Sequence, residues 1–395
     1  MSRLDELIQK LCPNGVEYRK LGELGKFFGG ITGKSKDDFT DGNAKFITYK
    51  NVYDNPSLQI DVEERVKIAD GEKQRTLQYG DVIFTGSSET PDECGMSSVV
   101  TVKTEENLYL NSFCFFFRFD DMNIMLPDFA KHLFRSNELR YQIGKTANGV
   151  TRYNISKKMM EKVSIPVPPL EVQRKIVRIL DSFTLLTAEL TAELTARKKQ
   201  YEYYRNHLLT YDASVKVQTL GEVCNISAGG DAPKEVMTKE MTEKFSIPII
   251  SNGIGENALY GYTNIAKINT PAVTIAARGT IGYAEYRDYP YFPIIRLLSA
   301  IPKDTSVVDT KYLYYCLKGK QYSVPMGGIP QLTAPKLKNV KIPVPNIEEQ
   351  QSIVDILDRF DSLCNDITTG LPAEIEARQK QYEFYRDKLL SFKQL

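Results

Sequence analysis

A long-range duplication constrains the fold more than any other feature of this chain. The segment Val163–Phe183 (VSIPVPPLEVQRKIVRILDSF) recurs 177 residues later as Val340–Phe360 (VKIPVPNIEEQQSIVDILDRF). Downstream, ARKKQYEYYRNHLL from Ala196 matches ARQKQYEFYRDKLL from Ala377 at an offset of 181, so the second copy carries four extra residues. A weaker repeat lies upstream, where Leu21-Gly22-Glu23 matches Leu220-Gly221-Glu222. This period is far longer than that of a solenoid. It divides the chain into variable region, shared segment, variable region, shared segment. At 395 residues there is room for two domains, each with its own core.

Each shared segment opens on a proline-rich stretch, SIPVPP or KIPVPN, which is pushed toward extended geometry because the residue before a proline avoids the helical region. A long amphipathic helix follows. In the first copy its stripe is Ile176, Leu180, Phe183, Leu186 or Thr187, Leu190, Leu194, Tyr201, Tyr204 and Leu208. In the second it is Ile353, Leu357, Phe360, Leu363, Ile367, Leu371, Ile375, Tyr382, Tyr385 and Leu389. Asn346 and Glu349 have capping-box spacing and mark the start of the second helix, whereas Gly370 and Pro372 predict a kink or interruption in it. The four extra residues read as one more helical turn. A helix of about 40 residues is roughly 60 Å long and needs a partner of like length. Each could pack on its own neighbouring domain, but two helices this similar favour pairing with each other as an antiparallel coiled coil.

The variable regions, about residues 16 to 160 and 215 to 338, read as short strands separated by turns. GDVIFTGSS and NSFCFFFRF are examples in the first, and PAVTIAARGTIGYAEY and YFPIIRLLSAIP in the second. Each carries one helical stretch near its end, LPDFAKHLFRSNELRYQIG or DTKYLYYCLKGKQY. The expected class is α+β: two globular domains separated by two long antiparallel helices, with boundaries at 1–162, 163–212, 213–339 and 340–395.

Composition excludes several functions. Lys plus Arg is 51 against 50 Asp plus Glu, so the net charge of +1 exerts no global pull on a polyanion, and any such site must be a local patch. Six cysteines without a C-x-x-C pair, and two histidines, give no zinc spacing. Asp5 and Glu6 stand where a secretory signal needs an apolar core, and no window approaches 18 uncharged apolar residues, so a cytoplasmic chain without membrane contact is expected. Gly253-x-Gly255-x-x-Ala258 resembles a dinucleotide loop, but no acid occurs between Glu256 and Glu285 and Gly261 follows too soon for a helix. Phosphate-loop, H-E-x-x-H and G-x-S-x-G motifs are absent, and Glu89, Asp92 and Glu93 read as a solvated turn. Neither a catalytic residue nor a metal site is expected.

The variable regions do contain cations among amides, hydroxyls and aromatics. The candidates are Lys34, Lys36, Lys50, Asn51, Ser87, Ser88, Arg152, Tyr153 and Asn154 in the first, and Lys234, Asn252, Arg278, Thr280 and Gln331 in the second. Arg and Lys suit phosphate or guanine edges, Asn and Gln can bond adenine bidentately, and hydroxyls reach either.

The shared segments, with IPVP…EQ…IV.ILD.F and RKKQYEYYR as their most specific elements, resemble the two repeated regions of type I restriction-modification specificity subunits. The resemblance covers the whole chain. It implies two target-recognition domains at opposite ends of an antiparallel helix pair, each reading one half of an interrupted double-stranded DNA target. It further implies no catalysis by this chain, docking to two methyltransferase subunits, and recruitment of two restriction subunits. S-adenosylmethionine, ATP and magnesium would then belong to the partners. Two other readings are a coiled-coil scaffold with protein-binding ends and a stand-alone DNA-modifying enzyme.

The tandem block TAELTAEL, Thr187–Leu194, lies where the two copies lose register. Four helical residues add about 6 Å and about 40° of net rotation, while a DNA base pair turns about 34 to 36°. The block reads as a ruler for the gap between two half-sites.

Overall fold

The computed structural model describes residues 3–211, 214–322, 330–366 and 368–395; Ile367 of the second apolar stripe lies outside them. Contacts divide the chain into two compact units, Met1–Leu190 with Ile375–Leu395, and Thr191–Glu374.

The first unit is built on a four-stranded antiparallel sheet of β1 (Gly25–Gly29), β2 (Val82–Thr85), β3 (Ser97–Val99) and β4 (Cys114–Phe119), in the order β1-β4-β2-β3. Successive side chains of a strand point to opposite faces. Val82 and Phe84 therefore pack with Phe115 and Phe117 against Phe129, Leu133 and Phe134, while Ile83 and Phe116 face a second core with Ile47, Leu58 and Leu110. The second unit has the same sheet: β5 (Cys224–Ala228), β6 (Ala272–Ala276), β7 (Ala284–Arg287) and β8 (Leu297–Pro302), in the order β5-β8-β6-β7. In both units the proline-rich stretch pairs antiparallel with the start of the variable region, Tyr18–Lys20 with Ser164–Pro166 and Val217–Thr219 with Lys341–Pro343. Proline lacks an N–H, which suits these two-stranded ribbons because each strand has a free edge. The helical stretch of the first unit is two helices, Pro127–Leu133 and Asn137–Gly144, and that of the second is Thr310–Leu317.

The shared segments form α1 (Leu170–Leu208), α2 (Ile347–Asn365) and α3 (Leu371–Leu390). Asn346 caps α2 by accepting the Glu349 N–H at 2.8 Å. In the first unit α1 meets α3, with Phe183 stacked on Tyr385 at 5.3 Å between ring centroids. In the second unit α1 meets α2, with Tyr204 stacked on Phe360 at 5.6 Å. These pairs are repeat equivalents, since Phe183 corresponds to Phe360 and Tyr204 to Tyr385. The extra helical turn expected in the second copy is replaced by a break between Asn365 and Leu371. There the Asp366 carboxylate accepts from the hydroxyls and N–H groups of Thr368 and Thr369, which competes with helix, and Gly370 and Pro372 complete the interruption. Among the described residues no helix is long and apolar enough to cross a membrane.

Two fixtures join each globular part to its helices. Gln173 and its repeat equivalent Gln350 are both fully buried. Gln173 accepts from Leu126 N–H at 2.9 Å and donates to the carbonyls of Ile124 and Pro168 at 2.8 Å each. Gln350 repeats this with Asp309 N–H at 2.9 Å and the carbonyls of Val307 and Pro345 at 2.8 Å. The second fixture is a socket formed by Asp181 and Tyr382, and again by Asp358 and Tyr201. His132 fills the first, its Nε2 2.8 Å from Asp181 and its Nδ1 2.9 Å from the Tyr382 hydroxyl. Tyr315 fills the second, donating to Asp358 at 2.5 Å, and among the described residues the buried Tyr201 hydroxyl has no hydrogen-bond partner.

Candidate nucleic-acid interface

In the first unit a small antiparallel sheet of Ala147–Asn148, Tyr153–Ile155 and Ser87–Ser88 gathers candidates that are far apart in sequence. Tyr153 lies opposite Ser88, and Asn154 opposite Ser87. Arg152 donates from Nη2 to the Ser87 hydroxyl at 3.1 Å, and its guanidinium lies 5.6 Å from the ring centroid of Phe113. The Tyr49 hydroxyl donates to the Ser87 carbonyl at 2.8 Å. Lys50, Ser88, Glu89, Glu93, Phe113 and Arg152 line an open cleft of about 970 Å³. Glu93 is an anion, since hydrogen bonds from Thr90, Tyr53 and Ser88 hold its carboxyl below the usual carboxylate range. Two cations and two acids leave the cleft rich in donors and acceptors without net charge. That mixture suits the edges of bases better than a row of phosphates.

Two half-buried arginines that sequence reasoning missed brace the segments around this cleft. Arg135 donates to the carbonyls of Ser97, Val52 and Tyr53 at 2.7, 3.1 and 2.8 Å. Arg140 donates to those of Gly95, Asp92 and Cys94 at 2.5, 2.7 and 2.8 Å. Burial lowers Arg135 to about 10, which leaves it charged at neutral pH. Their acceptors are main-chain carbonyls, which leave no mark in sequence.

Lys34 lies elsewhere, its Nζ 2.6 Å from Glu72 with a side chain 9% exposed, so its charge is compensated within the chain. Hydrogen bonds from Lys34, Gln74 and the Ala69 N–H lower Glu72 to about 2. Lys36 is exposed in the short turn Lys36–Phe39, on a neighbouring cleft that Phe113 also borders. Asn51 bridges the N–H and carbonyl of Gln59 at 3.2 and 2.8 Å, so its amide closes a loop.

In the second unit four of the five candidates meet. Asn252 donates to the Arg278 carbonyl at 2.8 Å, Thr280 donates to the Asn252 carbonyl at 3.1 Å, and Arg278 Nε donates to Gln331 Oε1 at 3.1 Å. Lys234 is exposed and separate, in a cleft with Tyr260 and Ile295. Arg296, which sequence reasoning missed, is exposed and adopts a left-handed backbone with φ of 75°. That conformation costs about 1–2 kcal/mol in an L-residue and is visible only in the backbone. Among the described residues no group of three or more His, Cys, Asp or Glu side chains is placed to hold a metal ion.

The family model described as "Type I restriction modification DNA specificity domain" matches the chain twice, over residues 13–197 and 213–377. The chain belongs to this family. A specificity subunit of the Escherichia coli type I restriction enzyme EcoR124I/EcoR124II is 40% identical over 266 residues, which is 60% of this chain and 65% of that protein. The chain thus spans just under two thirds of that relative's length. A solved structure concerning assembly and conformational transition of the type I R-M system has a chain of similar fold, with a TM-score of 0.65, 19% identity, and coverage of 96% of this chain and 98% of that one. The S subunit of a type I restriction-modification system from M. genitalium matches with a TM-score of 0.55 at 16% identity, over 96% and 97% of the two chains. At these identities the likeness is one of fold.

Proposed function

We propose that this specificity-family chain is the DNA-reading subunit of a type I restriction-modification complex, in which each unit reads one half of an interrupted double-stranded target. The observation that carries this is the repetition of the four-stranded sheet and of the helix attachments in both units, together with membership of the DNA specificity family. A duplicated reader suits a bipartite site for the same reason that dimers bind paired half-sites. The name of the Escherichia coli relative, a type I restriction enzyme specificity subunit, supports the same reading. The recognition domains are residues 1–162 and 213–339, and the helical segments 163–212 and 340–395 set the gap and dock two methyltransferase subunits. The chain acts in the cytoplasm and catalyses nothing itself. S-adenosylmethionine, ATP and magnesium are held by the methyltransferase and by up to two restriction subunits. Near-zero net charge fits this division of labour, with much of the phosphate grip left to the partners.

The test is selection from a random duplex pool by the chain in complex with its methyltransferase. Enrichment of an interrupted motif is expected, and a pool that emerges without sequence preference would refute the reading. The purified chain alone, given DNA, magnesium and S-adenosylmethionine, should neither cut nor methylate.

A further inference from the structure

Main-chain hydrogen bonds put the polar junctions of the two units into residue-by-residue correspondence, although their side chains differ. Gly86 and Ala277, just after β2 and β6, donate to the carbonyls of Phe113 and Arg296 at 2.7 and 2.8 Å. Their own carbonyls accept from Ile155 and Leu332, at 2.9 Å in both units. Ser87 therefore corresponds to Arg278, and Asn154 to Gln331. The side-chain tie to the next carbonyl is also kept, from Tyr49 to Ser87 and from Asn252 to Arg278, both at 2.8 Å.

Within this shared frame one guanidinium crosses the same gap in each unit, but from opposite sides. In the first unit Arg152 reaches from the strand side to the hydroxyl of Ser87 at 3.1 Å. In the second, Arg278 occupies the Ser87 position and reaches back to the Gln331 amide at 3.1 Å. Each bond engages one of five guanidinium N–H groups and a neutral acceptor, so it fixes the side chain without cancelling its charge. Among the described residues neither arginine forms an ion pair. A phosphate is disfavoured beside Arg152 by Glu89 and Glu93 in the same cleft. A planar fork that is charged, tethered and partly free matches the paired O6 and N7 acceptors of guanine.

We propose that this junction is the guanine-reading position of each unit, occupied by Arg152 in the first and by Arg278 in the second. The inference rests on the DNA-reading role proposed above. Because the arginine comes from non-equivalent positions, aligning the two variable regions would not reveal the correspondence.

The experiment is the same pool selection with the methyltransferase-bound wild type, Arg152→Ala, Arg278→Ala and the double variant Ser87→Arg/Arg152→Ser. Wild type should select a guanine in each half-site. Arg152→Ala should make one guanine of the first half-site degenerate, lowering its preference by roughly 5- to 150-fold, and leave the second half-site intact. Arg278→Ala should do the converse. The double variant copies the layout of the second unit and should restore guanine at the same position. A half-site without guanine, an equal loss of binding on all sequences, or recovery at a different position would overturn the proposal. The untouched half-site serves as the folding control. Should the double variant lose both half-sites, the single variants decide. A wild-type pool with no interrupted motif would instead refute the underlying DNA-reading role.

Discussion

Replacing Gln173 by alanine tests whether the glutamine fixture holds the first unit to α1. The side chain is fully buried and makes three hydrogen bonds at 2.8 to 2.9 Å, all to main-chain groups. Each such bond contributes about 1 kcal/mol net, and each buried partner left alone costs about 1–3 kcal/mol. Losing all three should therefore destabilise the first unit by about 3–5 kcal/mol, a large share of the 5–15 kcal/mol typical of a whole domain. Gln173→Leu fills the space without the bonds, which separates the hydrogen-bond loss from that of a cavity. The chain has no tryptophan, so urea unfolding is followed by far-ultraviolet circular dichroism, with hydrogen exchange as the local probe. Faster exchange should concentrate at Pro127–Leu133 and at the start of α1, and Gln350→Ala should shift the same signature to Thr310–Leu317. A loss below about 1 kcal/mol with unchanged exchange in Pro127–Leu133 would refute the reasoning.

The His132 socket should make the first unit acid-sensitive. Burial lowers the His132 imidazole below its ordinary 6.5 despite the opposing bond to Asp181, so the folded state holds it neutral. Its contribution is present above pH 6.5 and is lost as pH falls toward the lowered value, because only the unfolded chain then takes up the proton. Melting curves of wild type should fall over that range, and those of His132→Phe should fall less; parallel curves would refute this. Gly30 and Gly229 occupy equivalent positions immediately after β1 and β5, where an added Cβ would lie 2.1 Å from the carbonyl oxygens of Asn111 and Ile294. Alanine at either should cost about 1–3 kcal/mol in chemical denaturation, and a neutral result would mean that the backbone yields. Inserting a third TAEL into α1 should widen the unread gap in pool selection by about one base pair with both half-sites unchanged; an unaltered gap would make the block ordinary helix.

The helices are legible because the shared segments keep their side chains: the Phe183 and Phe360 stripes, the Asn346 cap and the break near Gly370 follow from the sequence, whereas the buried bonds of Gln173 and Gln350 to main-chain groups do not. Local chemistry also points to most of the polar junction, since Arg152, Ser87, Arg278 and Gln331 are candidates by residue type alone. Their pairing was not legible, because Arg152 and Ser87 are 65 residues apart and the correspondence of Ser87 with Arg278 is carried by main-chain bonds. Lys34 and Asn51 had the right chemistry, but their partners Glu72 and Gln59 are determined by loop geometry. Arg296 gave no signal, since a left-handed backbone in a residue other than glycine has no sequence signature.

The socket of Asp and Tyr has a consequence for how such chains can diversify. Both helical copies offer the same acid and the same phenol, and the occupants differ: a histidine satisfies both groups, whereas a tyrosine satisfies one and leaves the Tyr201 hydroxyl idle. A socket that tolerates this mismatch places few demands on its plug. A globular part carrying either residue at that helix position could be grafted onto either copy, so whole globular parts are exchangeable while the helical frame stays fixed.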